Sequence, residues 1–576
     1  MVSGSIYVES AGALNLGVAG NGNLSVVSFK AAGAVDINDG LTNNDGLTLQ
    51  NISNTGTATV GVTAAGPITL GSGIKLASTG TTTITSTGAA ASIKDSSPGV
   101  SIINNLILNS ANDIAITNTG HSVGRVEMTS GTGIVGTAST NANITYQEGG
   151  SANLGAVTIT AGATTPGSLS VTSTGGSIFQ GAGTITVPTV AGGTNTVSFS
   201  APNGEVTLNR AGNQIAPAVA LTASGNSTVV QSTAQNLILG NVAVTAGTFL
   251  ATVNTAAIEL QQAAGTTVRV FGDTTLNTGG KITLDNVGNN FGGLTIASNN
   301  GPTVGGTAVG AAVVLREGGT INLKAVDTGT ALTSTLKLTS EGGSIVSSST
   351  ALAAKLIKVG GPTTLVSAAD VTLNTTDVAN SFGSSGLLGN QGITVTAPGN
   401  VSIQDNTATT VIAGGSTIGG TLTIKNDNAA GTIKDSPGAL TVNGNVFLQT
   451  SATGSINIGA STAKLGAVQF RSGGVSIAEA TTLNLAAGST SAAGSVVQLS
   501  SNGDIVTSGL GGGSFGGTLS LNANGSITVS NPIFVAQGLT FRALGAVNLS
   551  ALSQTGNLSG LAPTNLGAAS YVAPSP

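Results

Sequence analysis

The chain has no cysteine, no tryptophan and one histidine, and only 7% of its 576 residues are charged and 3% aromatic. Each shortage excludes something. Without cysteine there is no disulfide framework and no thiolate metal site. The 17 bases and 22 acids are scattered, so the clustered Lys and Arg that a nucleic-acid partner needs are missing. No apolar run reaches the roughly 18 residues of a membrane-spanning helix; the best, VGGTAVGAAVVL at 304–315, is short and broken by glycine. Disordered chains combine low hydrophobicity with high charge, whereas this one has positive mean hydropathy and few charges. Its polar surface must come from Ser, Thr and Asn.

What the chain has is glycine, 87 of them, set in a recurring phrase, Gly-x-Φ-x-Φ with Φ apolar. Examples are GALNL (12), GAVDI (33), GPITL (66), GEVTL (204), GKITL (280), GNVSI (399), GTLTI (420), GSINI (454), GAVQF (466), GTLSL (517) and GAVNL (545). Apolar positions two apart are a strand period with one buried face. Val, Ile, Leu and Thr fill the strands and Gly, Asn, Asp and Ser the turns, as those roles require. No 3.6-residue period is sustained, so helices are not expected. A longer echo exists: Ile93-Lys94-Asp95 recurs as Ile433-Lys434-Asp435, and Thr83-Ile84 as Thr423-Ile424.

Compact cores stop growing near 250–300 residues, yet the phrase continues with little change of composition. A coil that stacks on itself escapes that ceiling, because it lengthens without enlarging its core. The expected fold is therefore all-β, a parallel β-helix (β-solenoid) forming an elongated, monomeric rod. Residues 1–552 are read as one continuous repeat region and 553–576 as an irregular tail. With about 20 residues per coil, roughly 27–29 coils would make a rod about 130–140 Å long. Alternation lapses at 299–316, 376–392 and 506–516, where irregular structure is expected.

GGKITLDNVGNNFGGLTIAS at 279–298, centred on Asn289-Asn290-Phe291-Gly292-Gly293-Leu294, resembles the long repeat regions of filamentous-haemagglutinin-like proteins of Gram-negative bacteria. LNTTDVANSFGSSG (373–386) and VSIQDNTATTVIAGGSTIGGTLTIKNDNAAGTI (401–433) are similar in the same way. The resemblance covers most of the chain and is mainly compositional. It implies a right-handed coil and export by two-partner secretion, with an outer-membrane secretion partner. It also implies a secreted or cell-surface location and a role in adhesion to an unidentified receptor. The amino-terminal secretion domain of that family and its Asn-Pro-Asn signatures are not found; APNGEV (201–206) and SNPIF (530–534) are faint echoes. The opening MVSGSIYVESAGALNLG enters the repeat at once, without the basic and apolar regions of a signal peptide; if the protein is exported, the chain is expected to be a fragment or to lack its true start.

Some β-helices are polysaccharide hydrolases or lyases, which need paired carboxyls across the scissile bond. Here the single histidine, His121, lies in NTGHSVGR with Arg125 nearby, and is read as an exposed turn residue. DINDGLTNNDG (36–46) gathers Asp36, Asp39 and Asp45 with Asn38, Asn43 and Asn44. It fails the calcium-loop register, because Gly40 stands where the fifth, oxygen-bearing ligand belongs; its residues are read as turn chemistry. Asp427 and Asp435 are read the same way. LGGGSFGG (510–517) lacks the Lys of a phosphate loop. The threonines of TGTTTITSTG (79–88) are not repeated at the coil spacing that ice binding needs. Phe291, Phe382, Phe447, Phe470 and Phe541 are expected to stack in the core. The reading is a non-enzymatic structural and interaction protein, the β-helical shaft of a bacterial adhesin, with no catalytic, cofactor or metal residues. A β-helical polysaccharide-active enzyme and an autotransporter passenger are the alternatives.

Overall fold

A computed structural model describes residues 4–10, 14–17, 24–39, 46–54, 59–76, 80–88, 91–96, 100–131, 142–160, 167–189, 195–231, 235–253, 258–298, 303–304, 307–308, 312–329, 331–347, 357–374, 380–382, 392–460, 462–509, 512–554 and 569–570. Among them there is no helix; the regular structure is β-strand throughout. Two units are distinguished, Met1–Gly279 and Gly280–Pro576, and each is a β-solenoid of stacked parallel strands.

The alternation seen in the sequence becomes the ladder. In the first unit Leu47, Ile68, Ile93, Ile114, Ile144, Leu169, Val197, Val219 and Leu239 pair in that order, one per coil, always in parallel. All nine are buried. In the second unit Ile345, Val371, Val401, Leu422, Val446 and Val468 do the same. Like stacks on like because each strand meets the equivalent strand of the next coil, and burying one aliphatic side chain contributes about 1.5–3 kcal/mol. Val442, Leu448, Ile456 and Ile458 also point inward.

A coil of the second unit shows the plan. Val401–Asp405, Thr409–Ile412 and Thr417–Ile418 form three sides. They pair with Leu422–Asn426, Thr432–Asp435 and Ala439–Val442 of the next coil. Residues paired in parallel between coils lie from 17 to 31 positions apart, as in Ala467 with Asn484 and Ile282 with Val313. The coil is usually longer than the 20 residues assumed from the phrase, so there are fewer coils than the 27–29 expected. The strands range from 2 residues, as in Ser53–Asn54, to 11, as in Val100–Ser110, so strand and corner lengths together set the step. All three interior segments expected to be irregular contain strands in parallel register: Ala312–Glu317, Ser381–Phe382, and Ile505–Ser508 with Gly513–Phe515. Thr303–Val304 and Thr307–Ala308 form a small antiparallel pair. Most of 376–392 lies outside the described residues.

The glycine that opens several of these phrases has a steric cause. Gly399, Gly420, Gly444 and Gly466 stack at one corner of successive coils. A Cβ on Gly420 would lie 2.7 Å from the carbonyl carbon of Gly399, and one on Gly444 2.5 Å from that of Gly420. Only glycine permits so close an approach of backbones.

The longer echo has a cause too. Asp95 ends its strand and accepts the amide hydrogens of Thr117 and Asn118 in the next coil, at 3.0 and 2.7 Å. Asp435 does the same with Gly459 and Ala460, both at 2.9 Å. Both acceptors clamp two successive amides just beyond the partner strand. Recurrence of Ile-Lys-Asp is one structural rule applied twice. The phrase Asn-x-Φ behaves likewise: Asn213, Asn289 and Asn380 are all buried. Asn289 Nδ2 donates to Leu284 O and to Arg316 O of the next coil, both at 3.2 Å. Asn380 Nδ2 donates to Leu373 O and to Gln404 O, at 3.4 and 3.1 Å. A buried amide with both ends occupied ties a corner to its neighbour without leaving a polar group unpaired.

Candidate functional site

Chemistry-bearing residues collect in three settings. The first surrounds the single histidine. His121 is not an exposed turn residue: its side chain is 1% accessible, and its Nε2 lies 2.8 Å from Asp95 Oδ2, itself 3% accessible. Burial alone would raise the Asp95 pKa, but hydrogen bonds from Thr117, His121 and Asn118 outweigh it and hold the carboxyl below the ordinary value. One coil further, Glu148 accepts the Val123 amide at 2.9 Å through Oε1 and the Tyr146 hydroxyl at 2.8 Å through Oε2. Burial pushes the Glu148 pKa up despite these bonds, and raises that of Tyr146 well above its usual range. A His–Asp pair is part of several hydrolytic sites, but this one is sealed under the strand surface, and its bonds run between coils. Arg125 does not join it; its guanidinium pairs with Glu127 at 2.9 Å and reaches the carbonyl of Ala182.

The second setting is a position that recurs at strand ends. Ser86, Ser110, Ser130, Ser340 and Ser367 turn inward there and donate to a turn carbonyl of the preceding coil, at 2.6 to 3.2 Å. In four coils an acid stands where the next coil has Ser or Asn. Glu148 pairs with Ser173, Glu317 with Ser340, Asp405 with Asn426 and Glu479 with Ser501. Desolvation raises the pKa of all four, to about 8 for Glu317 and about 7 for Glu479. Asp405 is the most fully bonded, accepting from Thr407 Oγ1 at 2.6 Å and Thr410 Oγ1 at 2.7 Å. Glu317 and Glu479 each leave Oε2 without a hydrogen-bond partner among the described residues. These acids sit singly, several coils apart.

Asp36 and Asp39 are not in a turn, as expected, but on the strand Val35–Asp39, with Asp36 outward and Asp39 buried. Asn43, Asn44 and Asp45 lie outside the described residues. Asp427 is exposed at the strand end, pairing with Lys425 at 2.8 Å and accepting from Gln404. Asp435 is the buried clamp described above, so the two do not form a carboxyl pair. Among the described residues no group of three or more His, Asp or Glu is placed to hold a metal ion, and no helix is long and apolar enough to cross a membrane.

The third setting was not anticipated. Phe291, Phe382 and Phe470 are core residues, and Phe470 stacks on Phe515 with ring centroids 5.8 Å apart. Phe447 is not: it is 36% exposed on the outer face of Val446–Gln449. It lines a shallow groove of about 250 Å³ with Thr423, Lys425, Gln449, Gln469 and Arg471. The signal was present in NVFLQ: once Val446 and Leu448 are inward, strand alternation forces Phe447 out.

A family described as repeats of unknown function (DUF5649) matches residues 139–222 and 224–298. The two stretches carry one structural word. Leu154-Gly155-Ala156-Val157 and Leu239-Gly240-Asn241-Val242 bend a strand round a corner, with Leu and Gly both buried and the Val two positions on buried again. No curated protein and no solved structure matches the chain.

Proposed function

We propose that the chain is a structural and interaction protein, the β-helical shaft of a secreted or surface-attached bacterial adhesin, exported with an outer-membrane partner and acting without catalysis. The observation that carries this reading is where the polar residues go. The buried polar side chains described above, His121, Asp95, Asp435, Asn289, Asn380 and the strand-end serines, bond from coil to coil and hold the stack together. The outer faces present Ser, Thr and Asn, which suit an extended surface that stays hydrated without charge. A solenoid whose parts are used for stacking is suited to carrying binding regions at a distance. Antibodies against the purified chain, applied to intact and to lysed cells of the source bacterium, test the location. Labelling of intact cells is expected, together with weaker attachment of a deletion strain to host or abiotic surfaces. Labelling confined to lysed cells, with attachment unchanged by deletion, would overturn the reading.

A further inference from the structure

The groove beside Phe447 has a chemistry distinct from the rest of the surface. Its floor is the outer face of three adjacent strands, Leu422–Asn426, Val446–Gln449 and Ala467–Ser472. The register sets two rows across them. Thr423, Phe447 and Gln469 form one row, and Lys425, Gln449 and Arg471 the other. The chain is acidic overall, with a net charge of -5, yet this face carries two cations. Asp427 pairs with Lys425, whereas Arg471 enters no ion pair among the described residues. The two cations stand two strand spacings apart, about 9.6 Å along the stack of coils. The inward residues Val446, Leu448, Val468 and Phe470 beneath them are fully packed, so the floor is rigid.

We propose that this groove binds a carboxylate-bearing saccharide lying across the strands, parallel to the stack of coils. The aromatic face of Phe447 offers apolar contact to the C–H face of a pyranose ring. The Gln449 and Gln469 amides supply both donors and acceptors for hydroxyls. The fork of Arg471 matches a carboxylate in bidentate geometry. A chain in this direction meets Lys425, Gln449 and Arg471 in turn, so acidic groups on alternate sugars fall near cations. Other occupants fit less well. One phenylalanine among polar side chains is far smaller than the apolar patch of a protein interface, and two cations are too few for nucleic acid.

The inference concerns binding without turnover and does not depend on where the protein resides. It is tested by calorimetric titration of the full chain with a short oligogalacturonate and with the matched neutral oligogalactan. The acidic oligomer is expected to bind at least tenfold more tightly, tenfold corresponding to about 1.4 kcal/mol, and to weaken as salt rises. Phe447→Ala and Arg471→Gln should each reduce that affinity roughly tenfold or more, while leaving the melting curve unchanged because both side chains point outward. Phe534→Ala, at a comparably exposed phenylalanine on another side of the coil, should bind as the parent does. Absence of binding to the oligogalacturonate would overturn the proposal. So would equal affinity for both oligomers, or affinity retained in both groove variants.

Discussion

Glu317 offers the sharpest test of the packing described above. It stands at a buried strand end where the ladder continues with Ser340 and Ser367, each bonded to a turn carbonyl. The glutamate is too long for that role. Desolvation lifts its pKa from 4.5 to about 8, only partly opposed by the Phe291 amide. In the unfolded chain the group returns to its ordinary value. Below about pH 4.5 both states are protonated, and the residue adds no pH dependence. Between about pH 4.5 and 8 the unfolded state has released its proton and the folded state has not, so stability falls as pH rises, by about 1.4 kcal/mol per unit. Over roughly 3.5 units the loss reaches about 5 kcal/mol, and above pH 8 it is constant. Solenoid contacts are nearest-neighbour, so the loss should be local. Hydrogen exchange of Ala312–Glu317 and Thr335–Ser340, corrected for intrinsic rates, should show more protection at pH 5.5 than at pH 8.5. Glu317→Gln removes the titration, so the variant should be better protected than the parent at pH 8.5 and lose most of the slope. Protection that rises with pH in the parent, or an equal slope in parent and variant, would refute the argument.

Three further outcomes are expected. Asp435→Ala removes the clamp on Gly459 and Ala460, two hydrogen bonds to a charged acceptor, and opens both amides to water; it should cost about 1–3 kcal/mol locally, read as faster exchange at those two residues and little change beyond adjacent coils. Gly444→Ala would set a methyl 2.5 Å from the Gly420 carbonyl carbon, forcing the stack apart at a cost of a few kcal/mol, and should lower the melting temperature, whereas Gly265→Ala, where nothing lies within 4 Å but φ is +74°, should cost only the backbone strain of about 1–2 kcal/mol. Ile456→Asp buries an unpaired carboxylate and should cost several kcal/mol in its coil; limited proteolysis should then cut near Ser455–Ile458 first, and unchanged resistance there would show that Ile456 is not in the core.

Sequence alone determined the class of fold, because one interaction dominates it. Alternation with period two, repeated between glycines, has one way to bury its apolar half over hundreds of residues, and the inward set Val442, Val446, Leu448, Ile456 and Ile458 follows from it directly. Phe447 was legible by the same rule but needed its two neighbours to be read first. Tertiary structure decided whatever depends on pairing between coils. The step of 17 to 31 residues is set by strand and corner lengths together, which no strand period records. Burial of His121 depends on Asp95 lying 26 positions earlier, and nothing local in NTGHSVGR announces that partner. Asp39, Glu148, Glu317 and Asp405 look like turn acids because each is flanked by polar residues or glycine, and Glu479, between Ala478 and Ala480, carries no local mark of burial. Each is buried because its strand end falls over the corner of another coil. The groove exists only because Lys425, Phe447 and Arg471, each from a different coil, fall side by side in register. Local alternation fixes which way a side chain points, whereas the residue beside it is chosen by a register that only the closed coil sets.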